Sequence, residues 1–319
     1  MVSAPIPLPW GRGYAPSNRM TRRSIPVLSE WPGPVPSWAH SDLSYGRMVA
    51  TSTLGLANGV EIPRLGFGVY RVGRGEPTRR AVGEALRVGY RHVDTAAAYG
   101  NERGVGEAVR ESGLPRSAVF VTTKLWNDDQ GFDAARRAFD ASLQRLGLEA
   151  VDLYLLHWPV PGKRLDSWRA LEGLYREGRA RTIGVSNFMV HHLDELLQHC
   201  EIPPAVNQLE ISPFLQQREV RAYCAAHGIA VEAYSPLTKG KRLRHPAIAD
   251  VARRVGKTPA QVLLRWAWQH DLIVLPKSTR PERIAENAAL DFELDLEAMA
   301  ALDGLEEGLV TGWDPRAEP

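Results

Sequence analysis

Eight short apolar runs, each followed by a stretch with helical spacing, constrain this chain more than any other feature. They are LGFGVY (65–70), YRHVDT (90–95), VFVTTKL (119–125), VDLYLLHW (151–158), ARTIGVSN (180–187), AVNQLEI (205–211), IAVEAYS (229–235) and LIVLPKS (272–278). Such runs read as strands buried on both faces. Strands that alternate with helices make a parallel sheet. Between the runs, Phe132, Ala135, Phe139, Leu143 and Leu146 step by three and four and predict one buried helical stripe. Val190, Leu193, Leu196 and Leu197 repeat the pattern, and Gly147, Gly178 and Gly228 punctuate helix ends.

Eight such repeats favour a closed barrel over an open doubly wound sheet. The expected fold class is therefore α/β, a (β/α)8 TIM barrel. A short β-hairpin, TLGLANGVEIPRL, precedes it, with Asn58-Gly59 expected to supply the positive-φ turn positions. An open dinucleotide-binding sheet would need G-x-G-x-x-G directly after a strand. Gly66 and Gly68 do not continue that way, and ERGVGEA lies within a helical segment.

The first 47 residues read differently. They hold eight of the 23 prolines, and five arginines stand against Glu30 and Asp42. The prolines would break the amphipathic helix of a transit peptide, and there is no apolar core for a secretory signal. Residues 1–47 are expected to be a disordered tail, with Met48 an alternative start, and residues 48–319 to form the barrel domain. The formal net charge of +2 gives no footprint for nucleic acid, and no apolar stretch approaches the roughly 20 residues needed to cross a bilayer. Cys200 and Cys224 form no CxxC pair, which fits a reducing compartment, so a cytoplasmic location is expected. Nothing in the sequence demands an oligomer, and a monomer is the expectation.

In such a barrel the C-terminal strand ends converge on one mouth, where chemistry sits. Those ends carry Asp94, Lys124 and His157, with Tyr99 just beyond the second strand. Taken singly, Asp94 reads as a helix cap, Lys124 as a snorkelling lysine and His157 as a structural histidine. Together, on three consecutive strands, they point to chemistry. His191, His192, His199 and Cys200 read as a solvated helix face rather than a metal site, because no acidic partners are placed to complete a tetrahedron.

With these residues in place, the chain resembles the aldo-keto reductase family, in particular its bacterial carbonyl reductases of the 2,5-diketogluconate reductase type. The motifs that carry the resemblance are GYRHVDTAAAYGNERGVGEAV, VTTKLW, DLYLLHWP, GVSNF, NQLEISP, AYSPL and VLPKSTRPERIAEN, in family order from about Leu54 to Trp313. The resemblance implies a catalytic set in which Tyr99 gives a proton to the carbonyl oxygen as hydride reaches the carbon. Lys124 would lower the phenol's pKa, Asp94 would hold Lys124, and His157 would bond the substrate oxygen. An ammonium about 4 Å away contributes roughly 4 kcal/mol at an effective dielectric of about 20, with Asp94 opposing it.

No side chain donates hydride, so a carrier is required. The segment PKSTRPER, read as the opening of the last helix with Pro281 in its first turn, is a candidate anion site. By the resemblance, Lys277, Ser278 and Arg283 grip the adenosine 2′-phosphate, which implies NADPH/NADP+, while Glu286 and Asn287 meet the adenine. Ser186, Asn187 and Gln208 would hold the nicotinamide amide, Tyr234 its ring, and Ser235 and Leu237 the pyrophosphate. Tyr70, Trp126 and Trp158, with His157, would line an apolar pocket for a small-molecule carbonyl substrate. The segment LTKGKRLRHP (237–246) is short and only seven residues follow Gly312, so an open pocket without a long C-terminal lid is expected. A catalytically weak, cofactor-sensing subunit with the same barrel is the alternative. A barrel hydrolase or isomerase would call for metal ligands or paired carboxylates at the mouth, and the strand ends offer neither.

Overall fold

The structure, a computed structural model, describes residues 52–319. The tail expected over residues 1–47 lies outside them. Strands β1 (Thr53–Gly55) and β2 (Glu61–Pro63) form an antiparallel hairpin. Then follow β3 (Gly66–Gly68), α1 (Glu76–Arg87), β4 (His92–Asp94), α2 (Glu102–Glu111), β5 (Phe120–Leu125), α3 (Phe132–Leu146), β6 (Leu153–Leu156) and α4 (Arg164–Arg176). The second half continues with β7 (Ile183–Ser186), α5 (Val190–His199), β8 (Val206–Glu210), α6 (Arg218–Ala226) and β9 (Ala230–Tyr234). It ends with α7 (Pro246–Val255), α8 (Pro259–Gln269), β10 (Ile273–Leu275), α9 (Pro281–Ala288) and α10 (Leu296–Asp303).

Strands β3 to β10 pair in parallel in chain order. The ring closes where Leu65 bridges Val274, with the Val274 amide donating to the Arg64 carbonyl at 2.7 Å and the Gly68 amide to that of Pro276 at 3.0 Å. All eight expected runs carry barrel strands. Side chains alternate across each strand. Along β6, Tyr154 and Leu156 join the layer packed under the helices, while Leu153 and Leu155 join Phe120, Val206 and Ile273 inside the ring. Leu56 and Ile62 from the hairpin pack on that same inner cluster, so β1 and β2 plug the N-terminal end of the barrel.

The hairpin turn differs from expectation. Only Gly59 takes a positive φ (81°), with its amide bonded to the Leu56 carbonyl at 2.8 Å. Asn58 stays out of that region, and its Oδ1 accepts from the Val60 amide (3.3 Å) within the turn. Its amide nitrogen reaches the Arg181 carbonyl and the Thr182 hydroxyl, both at 3.2 Å, and ties the plug to β7. The expected stripe on α3 holds for Ala135, Phe139, Leu143 and Leu146. Phe132, at the first turn, is 47% exposed because the helix there has left the barrel wall. On α5, Leu193 and Leu196 are buried and Val190 and Leu197 half-buried. The PKSTRPER segment opens α9, which is followed by α10 and so is not the last helix.

Helix α2 packs on α3 through Gly106, where an added Cβ would meet the Leu146 carbonyl oxygen at 1.7 Å. Backbone cannot yield as a flexible side chain does. Gly106→Ala therefore costs about 3 kcal/mol of packing strain, more than the roughly 1 kcal/mol it returns as helix propensity. The check is urea denaturation, and an unchanged or raised midpoint would refute the contact. Among the described residues, no helix is long and apolar enough to cross a membrane.

Candidate active site

The alternation that packs the barrel also delivers polar side chains to its upper layer. Asp94 ends β4, and Lys124 is the penultimate residue of the neighbouring β5. The Lys124 ammonium is fully buried and donates three bonds: to Asp94 Oδ1 (2.8 Å), Asp94 Oδ2 (2.7 Å) and the Thr95 carbonyl (2.8 Å). Beyond β4 the chain passes through small residues into a single helical turn at 97–99, and Gly100 then turns it toward α2. Thr95 pins this crossing by donating to Asn101 Oδ1 (2.8 Å), and Asn101 in turn donates to the Val69 carbonyl (3.0 Å). Tyr99 comes down beside Lys124, whose Nζ lies 5.2 Å from the ring centroid. His157, just after β6, sets its ring edge-on to Tyr99 at 5.7 Å and to Trp126 at 5.3 Å. The structure thus brings Asp94, Tyr99, Lys124 and His157 into one cluster.

The electrostatics differ from expectation in one respect. The Tyr99 phenol is pushed well above its ordinary value, first by burial, then by the negative charge of Asp94, with the neighbouring Tyr70 phenol acting in the same sense. The Lys124 ammonium, paired bidentately with Asp94, does not overcome the effect of burial. Tyr99 is therefore a neutral O–H donor throughout the working pH range. Burial, reinforced by Lys124, holds His157 well below the ordinary imidazole value, so this ring is neutral as well. Its Nδ1 is buried and makes no protein hydrogen bond.

A second polar row lies on β7, β8 and β9. Ser186 donates to the Gln208 carbonyl (2.9 Å). Asn187, held at φ 64°, donates to the His157 carbonyl (3.0 Å) and to Ser186 Oγ (3.1 Å), and accepts from the Tyr234 hydroxyl (2.8 Å). Gln208 donates to Asp94 Oδ2 (2.9 Å) and Glu232 Oε2 (2.7 Å). After β9, Ser235, Thr238 and Lys239 all have positive φ. A non-glycine backbone held there is strained, and such strain gathers at ligand-binding loops. Leu237 lies within this turn, half-buried.

Before α9, Ser278 Oγ accepts from the Arg280 amide (3.1 Å), shaping the helix entry, and Pro281 opens the helix. Burial, and secondarily the charge of Arg71, hold the Lys277 ammonium below its ordinary value. Arg71 was not singled out from the sequence; its positive φ of 59° is a tertiary feature with no local signal. Arg283 is exposed and Asn287 buried, while Glu286 accepts from the Thr258 hydroxyl (2.6 Å) and so supports the α8 cap.

On the rim, Tyr70 is 46% exposed and packs against Tyr99 at 5.1 Å. Trp158 stacks on Trp313 at 4.8 Å. Although few residues follow Gly312, they form a strap. Glu210, at the end of β8, accepts from the amides of Thr311 (3.0 Å) and Gly312 (3.2 Å), and Lys239 donates to the Thr311 carbonyl (2.9 Å). Trp313 and Glu210 were missed because stacking and latching are long-range contacts. His192 is a correction: it is buried, accepts from the Met189 amide (3.0 Å), lies 3.1 Å from the Glu318 carbonyl, and is pushed down to about 4, chiefly by burial. Among the described residues, no group of three or more His, Cys, Asp or Glu side chains is placed to hold a metal ion.

The aldo/keto reductase family model matches residues 64–307. The chain belongs to the aldo/keto reductase family. It is 49% identical over 264 residues to the 9,11-endoperoxide prostaglandin H2 reductase of Trypanosoma cruzi, covering 82% of this chain and 93% of that one. It is 48% identical over 264 residues to the glyoxal reductase of Bacillus subtilis, covering 82% and 96%. A solved aldo-keto reductase of Bombyx mori in complex with NADP matches with a TM-score of 0.78 at 35% identity, covering 84% of this chain and 97% of that one.

Proposed function

We propose that this aldo/keto reductase is an NADPH-dependent carbonyl reductase acting on small aldehydes and ketones, keto-sugars included, with Tyr99 as proton donor. The observation that carries this reading is the convergence of a neutral, half-buried phenol, a buried Asp94–Lys124 pair and a neutral His157 at one end of the barrel. A hydroxyl, an ammonium and an imidazole on three adjacent strands suit an oxygen that gains negative charge and then a proton.

The chain also fits a nicotinamide dinucleotide phosphate. The charge of Arg71 acts against that of Lys277, and a phosphate between them would relieve this repulsion. Lys277, Ser278 and Arg283 at the α9 entry would take the 2′-phosphate, with Glu286 and Asn287 toward the adenine. Ser186, Asn187 and Gln208 would take the carboxamide, Tyr234 the ring face, and Ser235 and Leu237 the pyrophosphate. When bound, the cofactor supplies hydride to the carbonyl carbon. Tyr99 donates its O–H to the carbonyl oxygen as charge develops there. Lys124, fixed by Asp94, then faces the resulting phenolate. His157 donates its N–H to the same oxygen and orients the substrate. Tyr70, Trp126 and Trp158 form a largely apolar wall that keeps water from the reaction. These relatives include a glyoxal reductase, and small dicarbonyls are the first substrates to test.

The test is NADPH consumption with a panel of aldehydes, ketones and keto-sugars. Turnover is expected; cofactor binding with none would return the chain to a sensing role. For the cofactor, Lys277→Ala and Arg283→Ala are each expected to raise the NADPH dissociation constant about tenfold or more, the worth of one charge-assisted bond. NADH affinity should stay nearly unchanged. Fluorescence titration reads both, and an equal loss for the two cofactors would remove these residues from the 2′-phosphate.

A further inference from the structure

Beneath the Asp94–Lys124 pair lies a second buried acid that the reaction above does not use. Glu232, the middle residue of β9, is fully buried inside the barrel. Its Oε2 accepts from Gln208 Nε2, the same nitrogen that donates to Asp94. Its Oε1 has no hydrogen-bond partner, and what it faces is His92 Nε2 at 3.8 Å.

The bonding of His92 decides where a proton sits. His92 Nδ1 lies 3.4 Å from the Pro63 carbonyl, which can only accept, so Nδ1 carries the hydrogen. Nε2 is then the lone-pair nitrogen and accepts from the Thr122 hydroxyl at 3.0 Å, so it has no hydrogen to offer Glu232. An ionised Oε1 would therefore be a buried negative charge with no hydrogen-bond donor, which favours the neutral acid. Burial, followed by Asp94, pushes Glu232 up to about 8, and Gln208 and Lys124 oppose this. Burial likewise pushes His92 down to about 4, against the pull of Asp94 and of Asp152 at the foot of β6. The charged and titratable groups facing the pair are thus Asp94 and Lys124 from above and Asp152 from the side.

We propose that Glu232 is a positioning residue that enters the reaction as a neutral acid beside His92, and that its ionisation switches down carbonyl reduction by placing a second negative charge behind Asp94. The proposal deepens the carbonyl-reductase reading and rests on it. On ionisation the Oε1–H bond breaks and the proton passes to water, leaving a carboxylate joined to Asp94 through Gln208. Asp94 already makes the Tyr99 phenol a weaker acid; a second anion acts in the same sense. One further unit on the phenol corresponds to about a tenfold lower rate.

The first measurement is infrared spectroscopy of the intact protein from pH 6 to about pH 10. The difference between wild type and Glu232→Gln should contain the carbonyl stretch of one protonated carboxylic acid, lost as pH rises through neutrality to mild alkali. Its absence at pH 6 overturns the proposal. Should the variant fail to fold, carboxyl-carbon NMR of glutamate-labelled wild type decides the same point: one glutamate must titrate far above the rest. The second measurement is the pH profile of kcat with NADPH and a small aldehyde. Wild type should fall by about tenfold to a lower plateau, and Glu232→Gln should lack that step; superimposable profiles overturn the switch. The spectra need no turnover, so a chain inert toward carbonyls would sink the functional reading alone while they still decide the state of Glu232.

Discussion

Tyr99→Phe should lower carbonyl reduction about a thousandfold while leaving NADPH affinity close to wild type. The substitution removes one oxygen and keeps the ring, so contacts with Tyr70 at 5.1 Å and His157 at 5.7 Å survive. What disappears is the acid, and loss of a positioned proton donor costs about 10²–10⁴ in rate. The pH sign follows from the same geometry. A phenol pushed above its ordinary value stays protonated through neutral and mildly alkaline pH. A fall in reduction near pH 8 would then report another group, the role proposed for Glu232, which burial pushes up to about 8. Single-turnover kinetics with fluorescence titration of NADPH checks the split; retained turnover would remove Tyr99 from the acid role.

The second large effect concerns stability as much as rate. Lys124→Met removes an ammonium whose three hydrogens are bonded in a fully buried site. Asp94 is then left with the Gln208 bond alone among these side-chain partners, and an unpaired buried charge costs about 3–5 kcal/mol. The discriminating measurement is a double-mutant cycle by chemical denaturation. Asp94→Asn with Lys124→Met should recover about 2 kcal/mol relative to additivity, because the stranded charge has gone. It should remain inactive. Additive losses would mean that the two side chains do not stabilise one another as the distances imply.

Periodicity made the barrel legible. All eight apolar runs became strands, since a strand buried on both faces must be apolar at nearly every position. The exceptions to that rule marked the upper layer: Asp94, Lys124 and His157 interrupt apolar text at the end where strands converge. Glu232 interrupts it too, in IAVEAYS, but one step lower and with no partner nearby in sequence. Its meaning depends on His92, 140 positions earlier, and on the register of β4 around the ring. The direction of the Tyr99 shift was likewise hidden, because it depends first on how the fold encloses the phenol and then on the nearness of Asp94. Local chemistry misled at Asn58, whose side chain reaches Arg181 and Thr182 as well as its own turn, and at His192, which the fold encloses.

The plug formed by β1 and β2 has a kinetic consequence. With one end of the barrel stoppered by Leu56 and Ile62, every small molecule shares a single doorway. Gln208 and Ser186 lie deep behind it, each about 2% exposed or less, whereas Tyr70 and Trp313 stand on the threshold, about half exposed. An ordered sequence is the expected consequence, with the molecule held by the inner pair binding first and leaving last, and product-inhibition kinetics would check it.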